Sequence, residues 1–199
     1  YLLREGEISS NITLLVSGMG FRQKCNAAGF RQILSICIPG EIINLQQAYI
    51  GIADNNVQVL TQCETALISH VALRQLVDEN PSIARAFFVA SLVDLSMSRE
   101  WMLNIGRRNA RARVAHFLCE IALRLNSDGV PNGQTYELPM TQEQLGDALG
   151  LTAVHINRTL KGLVRDGLIC RSNYLFTIPD WELLVHEAGF NTRYLHLNR

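Results

Sequence analysis

Two helices separated by a turn of only a few residues set the tightest limit on what this chain can fold into. Residues 140–160 read Met-Thr-Gln-Glu-Gln-Leu-Gly-Asp-Ala-Leu-Gly-Leu-Thr-Ala-Val-His-Ile-Asn-Arg-Thr-Leu. Thr141 suits the N-cap of the first helix, and Gln144 three residues on completes a capping box. Leu145, Ala148 and Leu149 form one apolar face. Gly146 is expected to permit close approach of a neighbouring helix, and Gly150 suits the left-handed position that ends a helix. Thr152 caps the second helix, where Ile156, Leu160 and Leu163 share the face that packs on the first. Two short helices joined so tightly make the helix-turn-helix that lays its second helix in the DNA major groove.

At 100° per residue, Ala153, Val154, Asn157, Arg158 and Lys161 fall on one sector of that second helix, roughly 140° wide. The apolar residues occupy the adjacent sector, so the first projects outward. Arg158 is expected to donate two hydrogen bonds to guanine O6 and N7. Asn157 reads adenine or binds a phosphate, Ala153 and Val154 touch a thymine methyl, and Lys161 suits a phosphate. His155 points away from both sectors. After the helix, Gly167-Leu168-Ile169 is expected to start a strand, Arg171-Ser172-Asn173 to turn, and residues 174–178 to return, forming a wing.

The rest of the chain changes pattern once. Over residues 1–70, short apolar runs at 12–16, 33–38, 57–60 and 65–69 are separated by glycines or polar clusters. That spacing suggests a compact antiparallel barrel or sandwich. The pattern changes near residue 72. Pro81 follows Asn80 as a helix start, and residues 82–105 hold neither proline nor glycine. One helix of about 25 residues would extend roughly 37 Å, too long for a small barrel to cover. Phe87, Ala90, Met97 and Trp101 fall near a 3-4 spacing, with Phe88, Leu92, Leu95 and Met102 on the flanks. A wide stripe on an overlong helix is expected to be a dimer seam, with burial inside one chain as the alternative. A second helix is expected at 107–126, opening with Arg107, Arg108, Arg111 and Arg113. A turn-rich link follows, Asn126-Ser127-Asp128-Gly129 and Pro131-Asn132-Gly133. The expected domains are therefore residues 1–80 (β), 81–108 (dimerisation helix and hinge) and 109–199 (winged helix), an α+β chain.

Composition excludes several classes. Of the 199 residues 48% are hydrophobic and 18% charged, with 18 basic and 18 acidic groups, unlike a disordered chain or a polybasic tail. The zero net charge averages unlike parts. Residues 1–106 hold 7 basic and 9 acidic groups, and residues 107–199 hold 11 and 9. Between Thr152 and Arg171 there are 4 basic groups against Asp166 alone, which focuses positive charge on the outward helix. The longest apolar run falls far short of the ~20 residues a membrane span needs, and no signal peptide is visible. The chain opens on Tyr1 rather than Met, so residues ahead of it are expected. Cys25, Cys37, Cys63, Cys119 and Cys170 make no Cys-x-x-Cys pair, and the five histidines are scattered, so no metal site is expected. No nucleophile elbow, zinc-protease or P-loop motif points to an enzyme. A winged helix that docks a protein instead of DNA is the other alternative, and the outward Asn157, Arg158 and Lys161 argue against it.

With these residues in place, the chain resembles the Crp–Fnr family of bacterial transcription regulators over nearly its whole length. Residues 1–7 and 11–18 resemble an early strand, turn and glycine of the family's sensor domain, and residues 33–41 and 57–69 resemble later strands. Arg113-Val114-Ala115-x-Phe117-Leu118 resembles the segment after the dimer helix, and residues 138–169 match most specifically. The resemblance implies a cyclic-nucleotide-binding-type β-roll, a long dimer helix and a C-terminal winged helix. It also implies a cytoplasmic homodimer that binds near-palindromic promoter DNA and contacts RNA polymerase. Arg158 stands at the family's guanine-reading arginine, Thr141 and Thr152 at phosphate-contacting caps, and Lys161 at a backbone-contacting lysine. Val154 stands where many members have a base-reading glutamate, and a valine cannot accept from cytosine N4. The half-site is therefore expected to differ from that of the best-known members.

The sensor departs further from the family pattern. The positions that cradle cyclic AMP in the family are here Asn44, Leu45, Ala53 and Asp54, none suited to the task. No Lys or Arg occurs between Arg31 and Arg74, so the segment supplies no cation for a buried phosphate. An atypical pocket reached by Arg99 is the alternative. Residues 1–69 hold no histidine as a haem ligand. No cofactor is expected, and the effector stays open.

Overall fold

The computed structural model describes residues 1–126 and 132–197, which hold eight strands and seven helices in two units, Tyr1–Leu95 and Ser96–Arg199. Most of the turn-rich link expected at 126–133 lies outside the described residues.

The first unit is built of β1 (Asn11–Ser17), β2 (Gly20–Cys25), β3 (Arg31–Cys37), β4 (Asn56–Val59) and β5 (Glu64–Ser69). β1 pairs antiparallel with β5, and β2 lies between β3 and β4 in an antiparallel sheet. Inward residues Leu3, Leu15, Cys37, Ile43, Ala53 and Val57 form one core, and Ile12, Ala48 and Leu73 another. β2 escapes the hydrophobic pattern because Gln23 takes an inward place beside Phe21, both almost fully buried. A short α1 (Gln47–Ile50) precedes β4, and α2 (His70–Glu79) starts at a Ser69 cap whose hydroxyl accepts from Ala72 N.

The long helix α3 runs Pro81–Arg107, close to expectation, but it is not a separate part. Residues 81–95 belong to the first unit and 96–107 to the second. Of the stripe expected as a dimer seam, two residues are engaged within the chain. Phe87 packs on the Ile12, Ala48 and Leu73 core of the first unit. Trp101 is buried, and its indole N–H donates to Glu120 at 3.0 and 3.1 Å. Met97 is half-buried and Ala90 exposed. The exposed apolar side chains are the former flanks, Phe88 (65%), Leu92 (45%), Leu95 (47%) and Met102 (66%). The helix has apolar residues on two faces, and periodicity alone does not say which one its own chain covers.

In the second unit, Asn109 caps α4 (Ala110–Leu125) by accepting from Ala112 N. Every residue of α4 from Val114 to Leu123 is buried, including Glu120. Glu120 accepts from Trp101, from Tyr194 Oη at 2.8 Å and from Arg124 Nη1 at 3.4 Å. A further strand, β6 (Gln134–Glu137), lies beside β8 (Leu175–Ile178), which pairs with β7 (Cys170–Ser172). Tyr136 of β6 donates to Leu118 O at 3.0 Å and anchors this sheet on α4. A last helix, α7 (Trp181–Ala188), starts at the Asp180 cap. Neither β6 nor α7 is expected from hydrophobic pattern, β6 because only Tyr136 of its four residues faces the core.

His116 of α4 is buried against Phe190 and Tyr194. Its Nε2 makes no hydrogen bond and lies 3.2 Å from Glu100 Oε1, an oxygen that Arg108 already holds at 2.6 Å. Burial first, and the Arg108 charge second, push the imidazole down to about 3. The unfolded chain therefore takes up this proton more readily than the folded one. The contribution is intact above the ordinary histidine value of about 6.5 and is lost as pH falls from there towards about 3. At full protonation it amounts to about 5 kcal/mol. In urea unfolding between pH 7 and pH 4, His116→Phe should lose less stability than the wild type.

Candidate nucleic-acid interface

The first helix of the expected pair is α5 (Gln142–Leu149), and the second is α6 (Ala153–Arg165). Thr141 Oγ1 accepts from Gln144 N at 3.1 Å while Gln144 Oε1 accepts from Thr141 N at 2.8 Å, closing the capping box. Gly150 ends α5 at φ 63°, a left-handed geometry that costs a residue with a Cβ more than it costs glycine. Thr152 Oγ1 accepts from His155 N at 3.2 Å and starts α6. The close approach at Gly146 comes from the turn and not from a neighbouring helix: a Cβ there would sit 2.4 Å from Leu151 O.

Ile156, Leu160 and Leu163 are buried, so α6 turns its other side to solvent. An open groove runs along that side, lined by Ala153, Val154, Asn157, Arg158 and Lys161, with Gln142, Gly162 and Arg165 added to the expected set. Val154 is 80% exposed, an apolar side chain facing water. His155 is half-buried. Of the cap threonines, Thr141 and Thr152 are both exposed. Arg165 is the last residue of α6, seven positions after Arg158, and that spacing is the sequence signal that places it on the same side.

The arginines that open α4 hold this arrangement in place. Arg113 donates to Leu149 O at 2.7 Å and to Arg108 O at 2.9 Å, tying the end of α5 to the start of the domain. Arg111 bridges Asp166 at 2.7 Å and Glu187 at 2.8 Å. In the wing the reversal is Asn173-Tyr174, one step later than expected, with Asn173 at φ 55° and Arg171 and Ser172 already in β7. Leu168 and Ile169 are buried ahead of that strand.

Residues 112–187 match the family model for the Crp-like helix-turn-helix domain. The nitrogen fixation regulation protein FixK of Bradyrhizobium diazoefficiens is 30% identical over 172 residues, covering 83% of this chain and 68% of that protein. The chain belongs to the Crp–Fnr family. The transcriptional activator FnrL of Cereibacter sphaeroides is 27% identical over 190 residues, covering 92% of this chain and 75% of that protein. The structure of FixK2 from Bradyrhizobium japonicum superposes with a TM-score of 0.84 at 23% identity, covering 94% of this chain and 92% of that one. This likeness extends to the whole fold, the β-roll included.

This Crp–Fnr regulator is a DNA-binding transcription regulator and not an enzyme, with the helix-turn-helix as its DNA-binding element. Its sensor positions do not converge. Asn44 is buried, accepts from Thr13 N at 2.8 Å and donates to Asn11 O at 3.0 Å and Gln47 Oε1 at 2.6 Å. Ala53 lies in the core, and its backbone bonds Gly6 and Glu7. Asp54 is exposed and accepts from Asn55. Leu45 alone lines a cavity of about 750 Å³, together with Glu41, Gln46, Tyr49 and Phe87. Arg22 of β2 also reaches that wall: it lies outside the cation-free segment between Arg31 and Arg74, and strand pairing brings it in. It donates to Ser35 Oγ, Ile42 O and Ile43 O, each at 3.2 Å. The thiols differ in exposure: Cys37 and Cys119 are buried, Cys63 half-buried, and Cys25 and Cys170 exposed, all free. Among the described residues no cluster of three metal-ligating side chains occurs, and no helix is long and apolar enough to cross a membrane.

Because the Gly146 Cβ would meet backbone and not a movable side chain, Gly146→Ala should cost about 1–3 kcal/mol. Thermal unfolding should show the lower midpoint, and DNA affinity should fall with it.

Proposed function

We propose that this regulator binds promoter DNA as a homodimer through the groove face of α6. The observation that carries the reading is the clustering of Asn157, Arg158 and Lys161 with exposed Val154 on one open face, behind which the helix is packed. Arg158 reads guanine bidentately, Asn157 reads adenine or holds phosphate, and Ala153 and Val154 meet a thymine methyl. Thr141, Thr152 and Lys161 hold phosphates. The half-sites lie about one helical turn apart. RNA polymerase is the partner on the promoter, and the protein works in the cytoplasm. The exposed stripe of Phe88, Leu92, Leu95 and Met102, at steps of four, three and seven, supports a coiled-coil dimer seam.

Cyclic AMP is not held in the family's manner. Asn44 and Ala53 are already engaged inside the fold, and Asp54 would repel a phosphate. An effector of other chemistry, or none, fits the first unit better. No cofactor is part of this reading.

Binding to a two-fold site should weaken with salt in proportion to the phosphates neutralised. Arg158→Ala should lose discrimination by about 1–3 kcal/mol in electrophoretic shift assays, while sedimentation still shows a dimer. Operator affinity like that of the wild type would remove Arg158 from this role. Phe88→Glu combined with Leu95→Glu should give a monomer by sedimentation, with thermal unfolding close to that of the wild type.

A further inference from the structure

The groove along α6 holds one cation that the base-reading sector does not use, and an ion-pair relay within the same unit leads to it. Glu187 of α7 accepts from Arg111 Nε at 2.8 Å, and Arg111 Nη1 donates to Asp166 Oδ2 at 2.7 Å. The other oxygen of Asp166 accepts from Arg165 Nε at 2.9 Å. The Arg165 side chain is nonetheless 77% exposed and lines the groove with Arg158 and Lys161. Its terminal nitrogens have no hydrogen-bond partner among the described residues. Seven residues turn an α-helix through about 700°, so Arg165 and Arg158 point within about 20° of each other, roughly 10 Å apart along the axis.

We propose that Arg165 is a further DNA-binding residue, which grips a phosphate at the end of α6 farthest from the base-reading residues, and that Asp166 and Arg111 are its positioning residues. The proposal rests on the DNA-binding reading of this groove. A long exposed arginine gives up rotamer freedom when it grips an anion. Asp166 fixes the Nε edge in advance and leaves the paired terminal nitrogens open for two phosphate oxygens. An unneutralised aspartate there would repel the phosphate. Arg111 offsets it and is itself balanced by Glu187, so the four-group relay sums to zero and Arg165 is its member that lines the groove.

The test uses the full chain and a fluorescein-labelled 30-base-pair duplex enriched by the wild type from a random pool, with affinity followed by anisotropy over a potassium chloride series. Arg165→Gln should flatten the slope of log affinity against log salt by about 0.9 per half-site. It should leave the ratio between the enriched and a scrambled duplex unchanged. Arg165→Lys should restore most of the slope. Asp166→Asn should weaken binding even though it removes a negative charge near the phosphates, and it should add nothing in the Arg165→Gln background. An unchanged slope in Arg165→Gln overturns the proposal. Tighter binding by Asp166→Asn overturns the positioning role, because charge alone would then explain the effect. If Arg158→Gln keeps full discrimination, the reading of the groove itself fails, and that result is distinct from a failure at Arg165 alone.

Discussion

A single buried carboxylate organises the C-terminal unit. Glu120 sits in the middle of α4 with almost no exposure, where an unpaired charge would be prohibitive. It is satisfied by donors from three places in the chain: Trp101 near the end of α3, Arg124 one turn on, and Tyr194 beyond α7. Burial and the Glu120 charge hold the Tyr194 hydroxyl well above its ordinary value, so it stays a donor. Each donor is fixed in turn, because a buried carboxylate that loses a partner costs far more than the bond is worth in water. The end of α3, the body of α4 and the C-terminal segment are therefore specified together.

From that frame the DNA-binding element follows by short links. Arg113 couples the start of α4 to the last carbonyl of α5, and Arg111 couples it to the residue that ends α6. Three of the four arginines that open this region in the sequence are thus spent inside the domain and not on a nucleic-acid surface: Arg108 holds Glu100, Arg111 holds two carboxylates, and Arg113 holds carbonyls. The cations that line the open groove, Arg158, Lys161 and Arg165, stand on α6. A count of basic residues alone would have placed the interface at both sites.

Local signals carried the reading furthest where one residue decides one feature. The capping box at Thr141 and Gln144, the left-handed Gly150 and the Thr152 cap depend on contacts within four residues. The outward sector of α6 depends on that same short range. Features that depend on distant partners were not legible. β2 carries polar residues that only its two neighbouring strands explain. On α3, periodicity does not show that Phe87 and Trp101 each meet partners from other parts of the sequence.

The sequence by itself determined the helix-turn-helix and the long helix, since caps and periodicity are properties of neighbouring residues. Only the tertiary structure decided which charges are free to meet an anion. Arg22, Arg111, Arg113 and Arg165 look alike in the chain. Their roles diverge because folding places a carbonyl, a carboxylate or open solvent opposite each guanidinium.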